Sequence, residues 1–126
     1  MCIRDSINTV PVLDLRHKGS SNIIGDRSFS KNPKIVSAIG DICIKKYKEN
    51  SIGTVIKHIP GHGLAKVDSH KNLPKINKNE DYLVKNDFYT FKNKKALIAM
   101  TGHLLFQKID PQNLSLIHIS EPTRPY

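Results

Sequence analysis

The sequence predicts an α/β fold in which parallel strands alternate with crossover helices in the order β-α-β-α-β. Three observations predict this order: short runs rich in β-branched residues, amphipathic segments between them, and loops rich in glycine, proline and histidine that follow the apolar runs. Such an order is typical of part of a parallel barrel, in which the catalytic residues lie on the loops that follow the strands.

The first strand is predicted at residues 10–15, and a long polar loop follows it at residues 17–30. A loop of this length is usually functional or disordered. Asn32 and Pro33 then begin a helix, as the N-cap residue and as a proline in the first turn. We therefore predict an amphipathic crossover helix. Its apolar face is expected to consist of Ile35, Ile39, Ile42 and Cys43.

The second strand is predicted at residues 54–57, and a loop that extends to about residue 74 follows it. A second helix is predicted over roughly residues 80–92. Its inward-facing residues are expected to be Val84, Phe88 and Phe91. Residues 96–100 form the third predicted strand. The chain is therefore expected to contain about three strands and two crossover helices.

The loop after the second strand holds the densest group of chemically active side chains. Residues 57–63 read Lys-His-Ile-Pro-Gly-His-Gly, and residues 68–70 read Asp-Ser-His. Three imidazoles, an ammonium group and a carboxylate therefore lie within fourteen residues of turn-rich sequence. Because they follow a predicted buried strand, this motif predicts an active-site loop.

The motif closely resembles the signature of the β-N-acetylhexosaminidases of glycoside hydrolase family 3, which reads Lys-His-Phe-Pro-Gly-His-Gly, a short spacer and Asp-Ser-His. Only Ile59 departs from it, in place of Phe. Residues 11–14, 24–29 and 100–103 are similar to further blocks of the family, although Gly102 stands where the family more often has Ala. The resemblance covers roughly residues 8–113. It is closest to the bacterial β-N-acetylglucosaminidases that recycle peptidoglycan fragments.

The resemblance implies that the chain holds a fragment of the family 3 N-terminal domain, which is a TIM-type (β/α)8 barrel. It also implies a retaining hydrolase that removes terminal non-reducing β-linked N-acetylglucosamine from muropeptide-type saccharides in the bacterial cytoplasm, without a cofactor. The family's nucleophile is an Asp in a later Ser-Asp-Asp-Leu-type motif, and no such motif follows Met100. We therefore expect a partial barrel with little or no activity on its own.

By the same resemblance, individual side chains receive roles. His70 would be the catalytic acid/base, and Asp68 would orient its ring and stabilise its cation. Three side chains would bind the sugar through its polar groups: Arg27, Lys57 and His58. Three more are expected either to support these residues from behind or to serve the local structure alone: Asp14, His62 and His103.

A zinc site is an alternative role for the motif histidines, because imidazoles bind zinc. It would consist of His58, His62 and His70. No cysteine pair and no His-Glu-x-x-His helix accompanies these residues, and the resemblance requires no metal. We therefore predict no metal site.

The chain carries a net charge of +9 at pH 7, which opens a second class of function. A non-catalytic basic module would bind nucleic acid or acidic glycans. The lysines, however, are scattered without a stacking aromatic series, as expected from AT-rich codons, and no apolar run approaches the roughly 18 residues of a membrane span. We predict no nucleic-acid or membrane partner. Another family 3 β-glycosidase remains a further alternative.

The two ends of the chain are predicted to be foreign to the domain. One short inverted repeat in the DNA can encode both residues 1–6 and residues 114–119, read in opposite directions. This arrangement is typical of a transposon-type sequencing adapter. We therefore predict that residues 1–6 and 114–126 are adapter-like and that residues 7–113 are the domain fragment.

Overall fold

The structure is a computed structural model that describes residues 6–20, 22–68 and 72–113. In chain order its elements are β1 (Ile7–Asn8), α1 (Pro33–Glu49), β2 (Gly53–Ile59), β3 (Lys75–Ile76), α2 (Glu80–Lys85), β4 (Ile98–Thr101) and β5 (Leu105–Phe106). Short 3-10 turns lie at Gly25–Arg27 and Phe88–Phe91. None of the described helices is both long enough and apolar enough to cross a membrane.

Three parallel strands form the main sheet, in the order β1-β2-β4. β1 pairs with the start of β2, and Val55 of β2 lies opposite Ile98 of β4. The predicted α/β class with parallel strands is confirmed, and the described strands form part of a barrel. The second and third predicted strands lie within two residues of their observed positions at the start of β2 and β4.

The first predicted strand, at residues 10–15, is wrong as a regular strand. β1 lies earlier, and within residues 10–15 only Val12 forms a bridge, to Lys57 of β2. The segment still runs beside β2, because the main-chain N–H of Leu13 donates to the carbonyl of Lys57 at 2.8 Å. Pro11 has no N–H to donate, so the ladder of hydrogen bonds is interrupted there.

α1 begins as predicted. Asn32 is its N-cap, and the side chain of Asn32 accepts a hydrogen bond from the main-chain N–H of Lys34 at 2.9 Å. Pro33 occupies the first helical position, where its missing N–H costs no hydrogen bond. The local sequence therefore determines where this helix starts.

The predicted apolar face of α1 is wrong in part, since Ile39 and Cys43 are half-buried but Ile35 and Ile42 are exposed. Its buried residues are Val36, Gly40 and Ile44. Ile35 and Ile42 are instead 48% and 59% exposed. A Cβ atom at Gly40 would lie 2.5 Å from Cδ2 of Leu13. The glycine therefore lets the helix approach the strand segment closely. The side of the helix that carries Gly40 is buried, and the side that carries Ile35 and Ile42 faces away.

The second predicted helix is shorter than residues 80–92. α2 ends at Lys85, and the 3-10 turn Phe88–Phe91 follows. Leu83 is fully buried, whereas Val84 is 50% exposed, so the inward position predicted for Val84 is wrong. Phe88 and Phe91 pack against the hydrophobic core as predicted. Because the α-helix stops before Phe88 and Phe91, these two residues do not share a helical face with Val84.

Two hydrophobic clusters hold the structure together. The first lies between the main sheet and α1 and is formed by Leu13, Leu15, Val36, Ile44 and Ile56. The second lies beneath the motif loop and is formed by Ala65, Ile76, Leu83, Leu104 and Phe106. β3 and β5, a parallel pair that was not predicted, contribute to the second cluster. The motif loop therefore rests on a core of its own.

Candidate active site

Asp14 lies at the centre of the candidate site, although its side chain is completely buried. Its carboxylate accepts hydrogen bonds from Nδ1 of His58 and from the main-chain N–H of His62, each at 2.7 Å. The main-chain N–H of His58 adds longer contacts at 3.3 and 3.4 Å. A buried carboxylate is tolerated where several donors surround it. Asp14 therefore holds two of the three motif histidines, His58 and His62, in place.

The contact with Asp14 determines which ring nitrogen of His58 carries a hydrogen. A carboxylate can only accept, so Nδ1 must be the donor. Nε2 is then the ring atom that remains for a ligand, as an acceptor in the neutral ring and as a donor in the cation. The side chain of His58 is 20% exposed and can be reached from solvent.

His62 lies beside His58 and is almost fully buried, with 5% of its surface exposed. The two rings meet edge to face, with their centroids 5.9 Å apart. Burial lowers the pKa of His62 below 6.5, and the nearby charge of Asp14 opposes this only in part. His62 is therefore neutral near pH 7. Its Nδ1 is buried and has no hydrogen-bond partner among the described residues.

A pocket of about 300 Å³ opens next to these histidines. Its lining includes four of the residues predicted for the site, which are Arg27, His58, His62 and His103. Apolar groups complete the wall, notably Ile23, Ile24 and Met100. This volume lies at the small end of the range for small-molecule binding sites. Such sites typically combine an apolar wall with a few polar groups, as this pocket does.

Arg27 reaches the pocket from the loop that follows the first strand segment. It lies in the 3-10 turn Gly25–Arg27, and its guanidinium donates to the carbonyl of Ile23. A guanidinium has five N–H groups, so donors remain for a ligand. His103 also lines the pocket; it lies two residues after β4 and is exposed.

The structure does not bring Lys57 to this pocket. Its main-chain N–H donates to the carbonyl of Pro11 at 3.3 Å, and the peptide bond between Lys57 and His58 is cis. Its side chain is absent from the pocket lining. Asp68 is half-buried, and its charge acts on His62 in the direction that raises the pKa. His70 lies outside the described residues, so its predicted place at the site stays a prediction.

Two glycines set how closely the segments of the site approach. A Cβ at Gly63 would lie 2.2 Å from the carbonyl oxygen of Leu15, so the motif loop packs directly on the backbone that follows Asp14. A Cβ at Gly102 would lie 3.4 Å from both Cβ of His58 and Cδ2 of His62. The small residue at 102 therefore leaves space beside the two rings.

Four residues of the wall were not predicted from the sequence, and three of them are apolar. Ile23, Ile24, Met100 and Thr101 line the pocket beside the predicted polar residues. The available signal was their position, because each adjoins or lies within a block that carries a predicted site residue. Among the described residues, no group of three histidine, cysteine, aspartate or glutamate side chains is placed to hold a metal ion.

The chain is similar to known proteins over most of its length. Residues 5–120 match the family model described as the glycosyl hydrolase family 3 N terminal domain. A beta-hexosaminidase from Aromatoleum aromaticum is 31% identical over 108 residues, which are 83% of this chain and 30% of that protein. The chain thus spans less than a third of the length of this relative.

Two solved structures share the fold. NagZ from Neisseria gonorrhoeae, in complex with N-trifluoroacetyl-D-glucosamine, is 30% identical with a TM-score of 0.77, over 83% of this chain and 32% of that chain. A family 3 β-N-acetylglucosaminidase from Paenibacillus is 27% identical with a TM-score of 0.81, over 86% and 21%. Together with the match over residues 5–120, these likenesses show that the chain belongs to the N-terminal domain family of the family 3 glycosyl hydrolases.

Proposed function

We propose that the chain is part of a β-N-acetylhexosaminidase that hydrolyses terminal, non-reducing β-linked N-acetylglucosamine. The observation that carries the proposal is the pocket in which Arg27, His58, His62 and His103 meet, with Asp14 behind the two inner histidines. A relative with the same fold was solved with an N-acylated glucosamine, which supports this class of ligand.

The pocket has groups suited to such a sugar. The guanidinium of Arg27 can donate to hydroxyl or acyl oxygens of the sugar. Nε2 of the neutral His58 ring can accept a hydrogen bond from a sugar hydroxyl group. Ile24 and Met100 offer an apolar surface for the C–H groups of the ring or the acyl methyl group. Lys57 is a weaker candidate for sugar binding, because its side chain does not line this pocket.

For the reaction, we propose a retaining mechanism in two steps. An aspartate of the family's later motif attacks the anomeric carbon while His70 gives a proton to the departing glycosidic oxygen. His70 then takes a proton from water, the water oxygen attacks the same carbon, and the bond to the aspartate breaks. Asp68 would orient the imidazole and stabilise its cation. The resemblance of residues 68–70 to the family motif supports these roles.

Muropeptide-derived saccharides as substrates, and the bacterial cytoplasm as location, are parts of the same proposal and rest on the resemblance alone. Because the aspartate of the later motif is not among residues 101–113, the 126-residue chain by itself is expected to release no burst of aryl alcohol from an activated N-acetylglucosaminide. A burst from the purified chain would contradict the proposed nucleophile.

The test of the function uses the full-length protein, by which we mean the product of the complete reading frame. It is assayed with 4-nitrophenyl N-acetyl-β-glucosaminide and with 4-nitrophenyl β-glucoside. We expect hydrolysis of the first and little of the second. A preference for the glucoside would instead favour another β-glycosidase. A folded protein that cleaves neither and binds DNA with a steep salt dependence would favour the basic module.

An arginine pair sharpens this assay. Arg27→Ala is expected to raise KM on the order of 10-fold to 100-fold, because a charged donor to the sugar is lost. Arg16→Ala is the matched control, since Arg16 lies in the same loop, is exposed and contacts Asp26 at 3.2 Å. Equal effects of the two substitutions would contradict a binding role for Arg27.

A further inference from the structure

A long-range polar contact outside the pocket joins His17 and Asp87. Nε2 of His17 lies 2.9 Å from Oδ1 of Asp87, and the two residues are 70 positions apart in the sequence. The Asp87 side chain is completely buried and that of His17 is 16% exposed. The second carboxylate oxygen, Oδ2, is buried without a hydrogen-bond partner in the part of the chain that the structure describes. The carboxylate therefore depends on His17.

His17 lies in one loop of the site, and Asp87 packs against another. His17 lies at the start of the loop that carries Arg27, and this loop closes where the main-chain N–H of Arg16 donates to Ser30 at 3.2 Å. Asp87 lies against the motif loop, because a Cβ at Gly61 would be 2.9 Å from Cβ of Asp87. The contact thus connects the loop of Arg27 to the loop of the motif histidines.

The pair does not touch the space where the ligand is proposed to bind. Neither His17 nor Asp87 lines the pocket of Arg27 and His58. His17 lines a neighbouring cavity of about 260 Å³, and Ile24 belongs to the walls of both cavities. Any effect of the pair on a ligand therefore passes through the position of the two loops.

We propose that His17 and Asp87 are positioning residues that hold the Arg27 loop and the motif loop at the separation the sugar requires. A buried carboxylate with few partners is weak evidence for a stabilising role, since an apolar pair of similar volume often stabilises as well. Its directional hydrogen bond, in contrast, specifies one relative placement of two loops. This inference rests on the proposed function.

The kinetic test is made in the full-length protein with the aryl N-acetylglucosaminide. His17→Ala is expected to raise KM on the order of tenfold with a smaller change in kcat, because the binding wall is displaced. His17→Gln should stay within about threefold of the wild type, since an amide N–H at the position of Nε2 can still reach Asp87. Arg16→Gln, a substitution of the exposed neighbour, is the control.

A double-mutant cycle separates positioning from general stability. If His17 acts through the loop of Arg27, His17→Ala should weaken binding less than about threefold in a protein that already carries Arg27→Ala. The same factor in both backgrounds overturns the proposal. If His17→Ala does not fold, His17→Asn replaces it, because its shorter amide does not reach Asp87.

Hydrogen exchange gives a readout that does not need activity. In His17→Ala the main-chain amides of Arg27 and Ala65, one in each loop, should exchange on the order of tenfold faster. Faster exchange at Arg27 alone overturns the proposal, because the motif loop would then be independent of the pair. Absence of hydrolysis in the wild type would remove the proposed function, whereas the exchange rates would still decide whether the pair couples the loops.

Discussion

The candidate site and β4 differ in which kind of side chain is buried and which is exposed. At the site, polar residues are buried: Asp14 is 0% exposed and His62 is 5% exposed. At β4, apolar residues are accessible: Leu97 just before the strand is 72% exposed, and Ile98 and Met100 are each 42% exposed. Each region therefore inverts the usual rule that apolar groups are inside and polar groups outside.

The difference lies in where the partners of each region come from. The buried carboxylate of the site is satisfied within the chain, since Asp14 receives hydrogen bonds from both His58 and His62. β4, in contrast, lies at the edge of the sheet among the described strands and pairs there with β2. The placement of His58 and His62 thus comes from contacts with Asp14, whereas the apolar side chains of β4 stay accessible in the part of the chain that the structure describes.

Removing the acceptor of the site should have the most severe consequence. In the full-length protein, Asp14→Ala is expected to lower kcat/KM on the order of 100-fold, because His58 and the motif loop lose their anchor. It should also lower the free energy of unfolding by about 3 kcal/mol, since buried donors lose their partner. Asp14→Asn should fall between this variant and the wild type. Unchanged binding and stability in Asp14→Ala would show that the site does not depend on its buried carboxylate.

The second substitution tests the close packing of the motif loop. Gly63→Ala should lower the free energy of unfolding by about 1–3 kcal/mol, because the added methyl group meets the carbonyl of Leu15 and the backbone must shift. Gly102→Ala is the matched control and should cost less, since its methyl group would meet side-chain atoms at 3.4 Å. Denaturant unfolding measures both, and the reverse order would contradict this account of the loop.

The third measurement concerns pH and His62. Its pKa in the folded protein is lowered by burial, so the unfolded state binds more protons just below pH 6.5. The stabilisation from a neutral His62 is therefore complete above pH 6.5 and is lost as the pH falls through that value toward the lowered pKa. Unfolding midpoints at pH 7.5 and 5.5 should differ less in His62→Gln than in the wild type. His103→Gln, a substitution of an exposed histidine, should retain the wild-type difference.

The smallest effect is expected at the exposed edge. In the 126-residue chain, Leu97→Lys should reduce self-association, measured by light scattering, because a charge on an edge strand disfavours pairing with another chain. Ile42→Lys on α1 is the control, since Ile42 is also exposed but its backbone is already hydrogen-bonded within the helix. Equal reductions would indicate that general solubility, rather than the strand edge, governs association.

The sequence predicted those features that depend on neighbouring residues. The start of α1 follows from Asn32 and Pro33, and β2 follows from a short β-branched run. The buried face of α1 was predicted wrongly in part, because it depends on a contact between Gly40 and Leu13 that hydrophobic periodicity does not contain. The pattern of large apolar residues does not reveal a helix face that is buried because it carries a small residue, as the face with Gly40 does.

The candidate site shows the same division. The motif and the blocks around it indicated residues of the pocket, including Arg27 and His103, and named Asp14 as a possible support, but they did not indicate which side chains Asp14 would hold. Its place depends on a contact with His58 across 44 positions. The contact of His17 with Asp87 joins residues 70 positions apart, and the residues next to either one gave no signal of it. Tertiary proximity, rather than residue type, determines both contacts.

The hydrogen bond from His58 to Asp14 also has a thermodynamic consequence. The hydrogen bond directs one nitrogen of the imidazole at a carboxylate that belongs to the same chain. The entropy of ordering this ring is therefore lost when the chain folds, so a ligand of the pocket would not have to order it again. A ligand that contacts Nε2 of His58 meets a ring that is already oriented, so calorimetry of Asp14→Ala should show a larger entropic penalty for the same hydrogen bond.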